Sequence, residues 1–353
     1  MAGIPTSLVL GSGGSRGLTH IGVIRCLQDR GYDIRAIAGS SIGALIGGIH
    51  ATGKLDLYAD WVGAMQRSDV LRLLDLSFGG DAIFKGERIM AAMRELIGEH
   101  DIESLPIGFT AVATDLSHAS SNREVWFNRG PLFDAIRASI AVPTIFAPVR
   151  LGSRLLLDGG IVNPVPVGPT LNSLTDVTVA VDLNGRPEPI AARAADADRL
   201  PLSVASVYRE RIGSFFERWW PGEGAGADAS AAGSPATRAG AADAVTTGSA
   251  DAGTPPVDAI PREAPGRAAP VRATAEKVGF TDIVLRSMEA MQASITQFRL
   301  AATTPAVLIH IPRNLCGFFD FHRARELIAF GYERTAIALD AYERDRRGIA
   351  RGD

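Results

Sequence analysis

The sequence predicts a layered α/β domain with a mainly parallel central sheet, and three observations predict it. Short apolar runs of strand length alternate with segments of helical period, which is the pattern of stacked βα units. The first two such strands each run through a glycine-containing turn straight into a helix. The 353 residues, 46% hydrophobic and 21% charged, supply enough apolar surface for a sizeable buried core.

Taken in order, Leu8, Val9 and Leu10 read as a buried parallel strand, followed by a glycine loop and a helix over 18–29 with Ile21, Ile24 and Leu27 on one face. Residues 34–38 form the second strand, which passes the turn around Ser41 into a helix over 42–51. Residues 56–74 and 87–97 read as surface helices. Residues 107–113 read as a strand, with Pro106 suited to its entry. A helix over 131–138 opens on Pro131 and ends before Pro143. Strands follow at 155–157, whose end carries Asp158, and at 177–181. Residues 222–275 are dominated by Ala, Gly, Pro, Ser, Thr and Asp, and such a segment buries too little surface to offset its ordering entropy, so disorder is expected there. Core-like elements then resume as a helix over 281–300, a strand over 307–311 and a helix over 322–342.

The formal charge of -3, from 36 Lys+Arg against 39 Asp+Glu, gives no global drive toward nucleic acid or an anionic membrane. Cys26 and Cys316 lie far apart with no CxxC partner, so neither a disulfide framework nor a zinc site is expected. The opening Met1 to Thr6 lacks a basic n-region with a long apolar run, and no stretch approaches the roughly 20 apolar residues of a membrane-spanning helix. A cytoplasmic chain, peripheral at a membrane at most, is the expectation. Residues 206–220 carry Arg209, Arg211 and Arg218 beside Phe215, Phe216, Trp219 and Trp220, the composition of an amphipathic basic helix. Its aromatic face suits either packing on the domain or a membrane interface.

Three motifs carry chemistry. Gly39-x-Ser41-x-Gly43 between a strand and a helix is the context of a nucleophile elbow, in which small neighbours permit a strained serine turn. Ser41 is therefore the candidate nucleophile. Gly11-Ser12-Gly13-Gly14-Ser15-Arg16-Gly17 follows the first strand. It fails the strict dinucleotide fingerprint, because Arg16 stands where the third glycine is needed, and no Gly-Lys-Ser/Thr supports a phosphate loop. The alternative is an oxyanion hole in which the amides of Gly13 and Gly14 face a tetrahedral intermediate. Arg16 suits either a lipid phosphate or neighbouring carbonyls. Asp158-Gly159-Gly160 sets an acid at the end of an apolar strand, where desolvation raises its pKa and makes it a better base. A Ser-His-Asp triad completed by His310 or His322 remains open from the residues alone, whereas His20 and His50 read as structural.

In this order, the glycine loop with His20-Ile21-Gly22, the Ser41 turn, Arg137-Ala138-Ser139-Ile140-Ala141-Val142-Pro143 and Asp158-Gly159-Gly160 with Asn163-Pro164 resemble the patatin-like phospholipases, specifically bacterial members related to the neuropathy target esterase catalytic domain. The resemblance implies a patatin-like layered α/β/α fold. It implies Ser41 as nucleophile and Asp158 as sole general base, a dyad without histidine, needing no metal or cofactor. The glycine loop becomes the oxyanion hole, supported by Ser12, Arg16, Gly17, Gly39, Gly43, Gly159 and Gly160. One departure stands out: the first glycine of the family's loop motif is Ser12 here. The implied substrates are phospholipids, lysophospholipids or neutral lipid esters. The implied organisation is a catalytic core over 7–171, a continuation with the amphipathic helix over 172–221, a disordered insertion over 222–275, and C-terminal helices and a strand packing on the core over 276–345. The competing expectation from another class is a weakly active or non-catalytic regulatory scaffold of the same fold, using the insertion to bind a partner.

Overall fold

The computed structural model describes residues 3–73, 75, 82–117, 123–189 and 279–351; the basic aromatic segment 206–220 and the segment 222–275 lie outside the described residues. The strands are β1 (Ile4–Leu10), β2 (Tyr32–Ser40), β3 (Ala82–Phe84), β4 (Gly108–Asp115), β5 (Glu124–Phe127), β6 (Thr144–Phe146), β7 (Val149–Leu151), β8 (Arg154–Asp158), β9 (Val177–Gly185) and β10 (Val307–Pro312). The helices are α1 (Thr19–Asp29), α2 (Ile42–Ala51), α3 (Leu55–Gly63), α4 (Arg67–Leu73), α5 (Glu87–Ile97), α6 (Leu132–Ser139), α7 (Phe280–Ala302) and α8 (Ala324–Arg351).

The sheet runs β10-β9-β1-β2-β4-β8-β7, with β5 also paired to β4. The pairs β10–β9, β9–β1, β1–β2 and β2–β4 are parallel, and those involving β5, β7 and β8 are antiparallel. This is the mainly parallel α/β sheet expected of the alternation, extended by an antiparallel margin. The chain leaves β1 toward β2 on one side and returns to its other side as β9, so the order reverses at β1. Such a reversal opens a crevice at the carboxyl ends of the strands. The glycine loop after β1 and the serine turn after β2 both lie there.

The registers explain how the turn meets Asp158. Ala111 pairs with both Gly39 and Phe127, and Ala113 pairs with both Asp158 and Val125. A residue has one ladder partner on each side, so β2 and β8 take turns along one edge of β4 while β5 runs along the other. Ser40 is opposite Val112 and Asp158 is opposite Ala113. Asp158 therefore takes up the edge where β2 leaves it for the serine turn.

The core is one continuous cluster in which Leu8, Leu10, Ile21, Ile24, Ile37 and Ile46 are fully or almost fully shielded. The C-terminal helix α8 packs closely on α1. A Cβ on Gly22 would fall 1.9 Å from the Ile328 carbonyl oxygen, and one on Gly331 would fall 2.1 Å from that of Thr19. Glycine at both places lets the two backbones touch.

The structure differs from the sequence expectations at several elements. The single helix expected over 56–74 is two helices, because α3 ends at Gly63, a poor helix former, and the Asp69 carboxylate takes the Gln66 amide at 2.9 Å to start α4. Strand β1 begins at Ile4, with polar Thr6 and Ser7 fully buried. Their hydroxyls are satisfied by the Ile4 carbonyl and by Thr175 at 2.7 Å each. The C-terminal helix starts at Ala324 after a short 3-10 turn over Phe321–Arg323 and continues to Arg351. No helix among the described residues is long and apolar enough to cross a membrane.

Candidate active site

Ser41 is the residue before α2, with φ 57° and ψ −125°. Such backbone angles cost a non-glycine residue about 1–3 kcal/mol and persist only where the surroundings enforce them. Three things enforce them here. A Cβ on Gly39 would lie 2.4 Å from the Gly43 carbonyl oxygen, and one on Gly43 would lie 2.1 Å from that of Leu10, so the two glycines let the turn close against β1. The Ser41 amide donates to Ser139 Oγ at 2.9 Å, and Ser139 Oγ donates onward to the Val112 carbonyl at 2.6 Å. The Ser41 carbonyl accepts the Ala44 amide at 2.9 Å, which fastens the turn to α2.

Ser139 was visible in the sequence only as part of the Arg137 to Pro143 motif, with no role of its own. A hydroxyl closing the apolar face of helix α6 was the available signal, but its partners become known only once α6 lies across β4. Ser139→Ala leaves the buried Ser41 amide and Val112 carbonyl without that partner, a loss of about 1–3 kcal/mol. We expect thermal melts to register that loss and turnover to fall as the serine turn relaxes, while Ser139→Thr, which keeps the hydroxyl, retains more of both.

The Ser41 hydroxyl donates to Asp158 Oδ2 in a short hydrogen bond, and the other carboxylate oxygen, Oδ1, accepts the Gly160 amide at 2.7 Å. The backbone of Asp158 is also pinned, its amide donating to the Ala141 carbonyl at 2.9 Å and its carbonyl accepting Thr114 Oγ1 at 2.8 Å. Burial pushes the Asp158 pKa up to about 7, against the opposing pull of the bonds from Ser41 and Gly160. Gly159 and Gly160 serve close approach. A Cβ on Gly159 would sit 2.1 Å from the Val112 carbonyl oxygen, and one on Gly160 would sit 2.4 Å from Ser12 Oγ.

In the glycine loop the flanking amides are spent. Gly11 donates to the Val181 carbonyl at 3.1 Å, Ser12 to that of Pro164 at 2.9 Å and Ser15 to that of Phe318 at 3.0 Å. Among the described residues no hydrogen bond engages the amides of Gly13 or Gly14. Gly14 has φ 60° and lies against the Phe318 ring, while Gly13 lies against Leu183 and Gly17 against Ile42. Arg16 is almost fully buried, and its fork is occupied by Glu289 Oε1 and the Arg313 carbonyl, both at 2.8 Å. Arg16 thereby ties the loop to the C-terminal part of the chain.

The histidines lie elsewhere. His20 is fully buried, bonds the Gly11 carbonyl through Nε2 at 2.9 Å, and has its pKa lowered by burial to about 4. Burial lowers His50 likewise to about 4. His310 stands on β10 and bonds Asp182 at 3.2 Å. Strands β9 and β1 separate it from β2, a span of about 14 Å at the usual strand spacing. His322 lies in the 3-10 turn before α8. No histidine among the described residues hydrogen-bonds to Ser41 or Asp158; His118 lies outside them. Among the described residues no group of three or more His, Cys, Asp or Glu is placed to hold a metal ion. Cys26 and Cys316 are both buried and free.

An apolar cavity opens from Ser41 and is walled by α2, α3, α4 and α5, with Leu45, Trp61, Met65, Met93, Phe146 and Phe319 among its lining. Its walls match a hydrocarbon chain, and Ser41 stands on its surface.

A strained serine turn between a parallel strand and a helix, hydrogen-bonded to a buried carboxylate at the end of an apolar cavity, defines an α/β protein of the acyl hydrolase class. Comparison with known proteins makes the assignment particular. Residues 8–171 match the patatin-like phospholipase family. An uncharacterized NTE family protein of Mycobacterium tuberculosis is 40% identical over 352 residues, covering 96% of this chain and 92% of that one. A patatin-like phospholipase domain-containing protein of Caenorhabditis elegans is 35% identical over 190 residues, covering 52% of this chain and 14% of that protein. A lysophospholipase of Yarrowia lipolytica is 30% identical over 191 residues, covering 52% of this chain and 13% of that protein. The chain belongs to the patatin-like phospholipase family, within its NTE group, and is a lipid ester hydrolase.

Proposed function

We propose that the chain cleaves lipid acyl esters through an acyl-enzyme, with Ser41 as nucleophile and Asp158 as its only general base. The observation that carries this reading is the hydrogen bond from Ser41 Oγ to the buried Asp158 carboxylate at the edge of an apolar cavity. Asp158 accepts the Ser41 proton as Oγ attacks the ester carbonyl, and returns it to the leaving alcohol as the tetrahedral intermediate collapses. Water then attacks the acyl-enzyme with the same carboxylate as base, releasing the fatty acid and restoring the serine. The unengaged amides of Gly13 and Gly14 and the amino end of α2 hold the oxyanion; each such donor is typically worth about 3–4 kcal/mol. A carboxylate with a pKa of about 7 is ionised in useful amount at neutral pH and is a stronger base than a solvated aspartate.

The acyl chain occupies the apolar cavity, and the substrate class is a phospholipid, lysophospholipid or neutral lipid ester. The name of the Yarrowia relative supports the lysophospholipid member of that set. Residues 7–171 carry the catalytic core in this reading, and the lipid is met at a membrane surface on the cytoplasmic side. The test is fatty acid release from micellar lysophospholipid and monoacylglycerol by wild type and Ser41→Ala across pH. Release is expected with wild type and not with the variant. The wild-type kcat/KM is expected to fall about tenfold per pH unit below about 7, as Asp158 is protonated, and to level off above it. His20 and His50, both held near 4, do not titrate in that range. A flat profile from pH 8 down to 5 contradicts a buried carboxylate base.

A further inference from the structure

A second, small cavity adjoins Ser41. Its polar lining includes Ser41, Asp158, Arg16, Glu289 and Gln292, the last two from α7, set among apolar walls that include Val142 and Phe318. It measures about 20 Å³, on a scale where one water needs about 10–15 Å³. Asp158 is held by Ser41 and Gly160, and the two terminal nitrogens of Arg16 by the Arg313 carbonyl and Glu289, while Arg16 Nε is buried without a partner. Gln292 is placed differently. Its side chain is 7% exposed, yet its amide forms no hydrogen bond with a described residue. It packs so close to Gly160, whose amide holds Asp158, that a Cβ on that glycine would fall 2.7 Å from Gln292 Nε2. The amide atoms of Gln292 are not among the fully shielded side-chain atoms that lack a partner, so a water in the cavity can reach them.

Resting on the reading of Ser41 and Asp158 above, we propose that this cavity seats the hydrolytic water and that Gln292 orients it. The chemistry requires such a place. The leaving alcohol receives its proton from Asp158, and the water that replaces it must give a proton to the same carboxylate, so both oxygens stand in turn beside Asp158. The water has two protons, of which Asp158 takes one during attack. A glutamine amide offers an acceptor for the other and a donor to the water's lone pair. In the step, the water oxygen bonds to the acyl carbon as Asp158 takes its proton. The carbon–Oγ bond then breaks, Ser41 Oγ recovers that proton, and the carboxylic acid leaves. Gln292 itself neither gains nor loses a proton and is a positioning residue for deacylation alone.

The test separates the two half-reactions with a p-nitrophenyl ester. Gln292→Met, close in volume, is expected to release the first equivalent of p-nitrophenol at the wild-type rate and then turn over at least tenfold more slowly, with the acyl group found on Ser41 by mass spectrometry. Equal loss in burst and steady state, or no change in either, overturns the proposal. Should Gln292→Met fail to melt cooperatively, Gln292→Asn is read on the same two rates and is expected to lower only the second. Failure of the underlying reading looks different: wild type trapped at steady state then carries no acyl group on Ser41 at all.

Discussion

Asp158→Asn is expected to lower kcat/KM by about 10²–10⁴-fold, the usual span for losing a general base, and to raise the melting temperature at pH 8. The opposite signs follow from one cause. The folded-state pKa of Asp158 is raised by burial from 3.8 to about 7. A group whose folded pKa is raised contributes stability below its unfolded value, near 4, and that contribution is lost as pH rises through about 7. Above pH 7 the native protein therefore holds an ionised carboxylate at a penalty of roughly 4 kcal/mol, from about 1.4 kcal/mol per unit. Asparagine removes the charge and keeps one acceptor for the bonds from Ser41 and Gly160, so part of that penalty is recovered. At pH 4 the gain disappears, since the wild-type carboxyl is itself neutral in the fold. Calorimetry at pH 4 and pH 8, beside turnover at pH 8, measures both effects. A variant that is inactive and equally destabilised at both pH values contradicts the account of Asp158 as a buried, charged base.

The second large effect is structural. Gly43→Ala forces a methyl group to within 2.1 Å of the Leu10 carbonyl oxygen and 2.9 Å of that of Gly11. Overpacking that side chains can absorb costs about 1–3 kcal/mol. Here both opposing atoms belong to the backbone where β1 meets the glycine loop, so relief requires α2 to lift from the sheet. We expect a loss above about 3 kcal/mol and a turnover defect beyond the loss of folded protein, because α2 carries the serine turn with it. A melting temperature within a few degrees of wild type would contradict this packing.

The site was legible in the sequence in unequal parts. Ser41 stood out because its signals are local: two glycines at fixed offsets, an apolar strand before and a helix after. The strands β1, β2, β4, β9 and β10 were legible for the same reason, each being an apolar run of adequate length. Asp158 was marked by Asp-Gly-Gly and by resemblance, but its meeting with Ser41 depends on β8 continuing the edge of β4 that β2 vacates, a pairing across 117 residues that no periodicity reports. The three- and four-residue strands β3, β5, β6 and β7 escaped because so short a run carries no measurable alternation. Ser139 escaped because its partners lie on other elements, and Gln292 because only the fold brings α7 beside Asp158. Gly13 and Gly14 were named from the sequence as the loop donors; in the fold their amides carry no described hydrogen bond, whereas those of Ser12 and Ser15 are engaged. The substitution of Ser12 for a family glycine is accommodated on the same grounds, its amide being already committed to Pro164.

Labelling with a fluorophosphonate followed by peptide mass spectrometry tests whether Ser41 is an activated nucleophile. Close to one label per chain is expected, confined to the peptide bearing Ser41, absent in Ser41→Ala, and formed more slowly as pH falls below about 7. A cooperatively folded wild-type protein that takes no label, or that takes it on another residue while hydrolysing lipid esters, would contradict it.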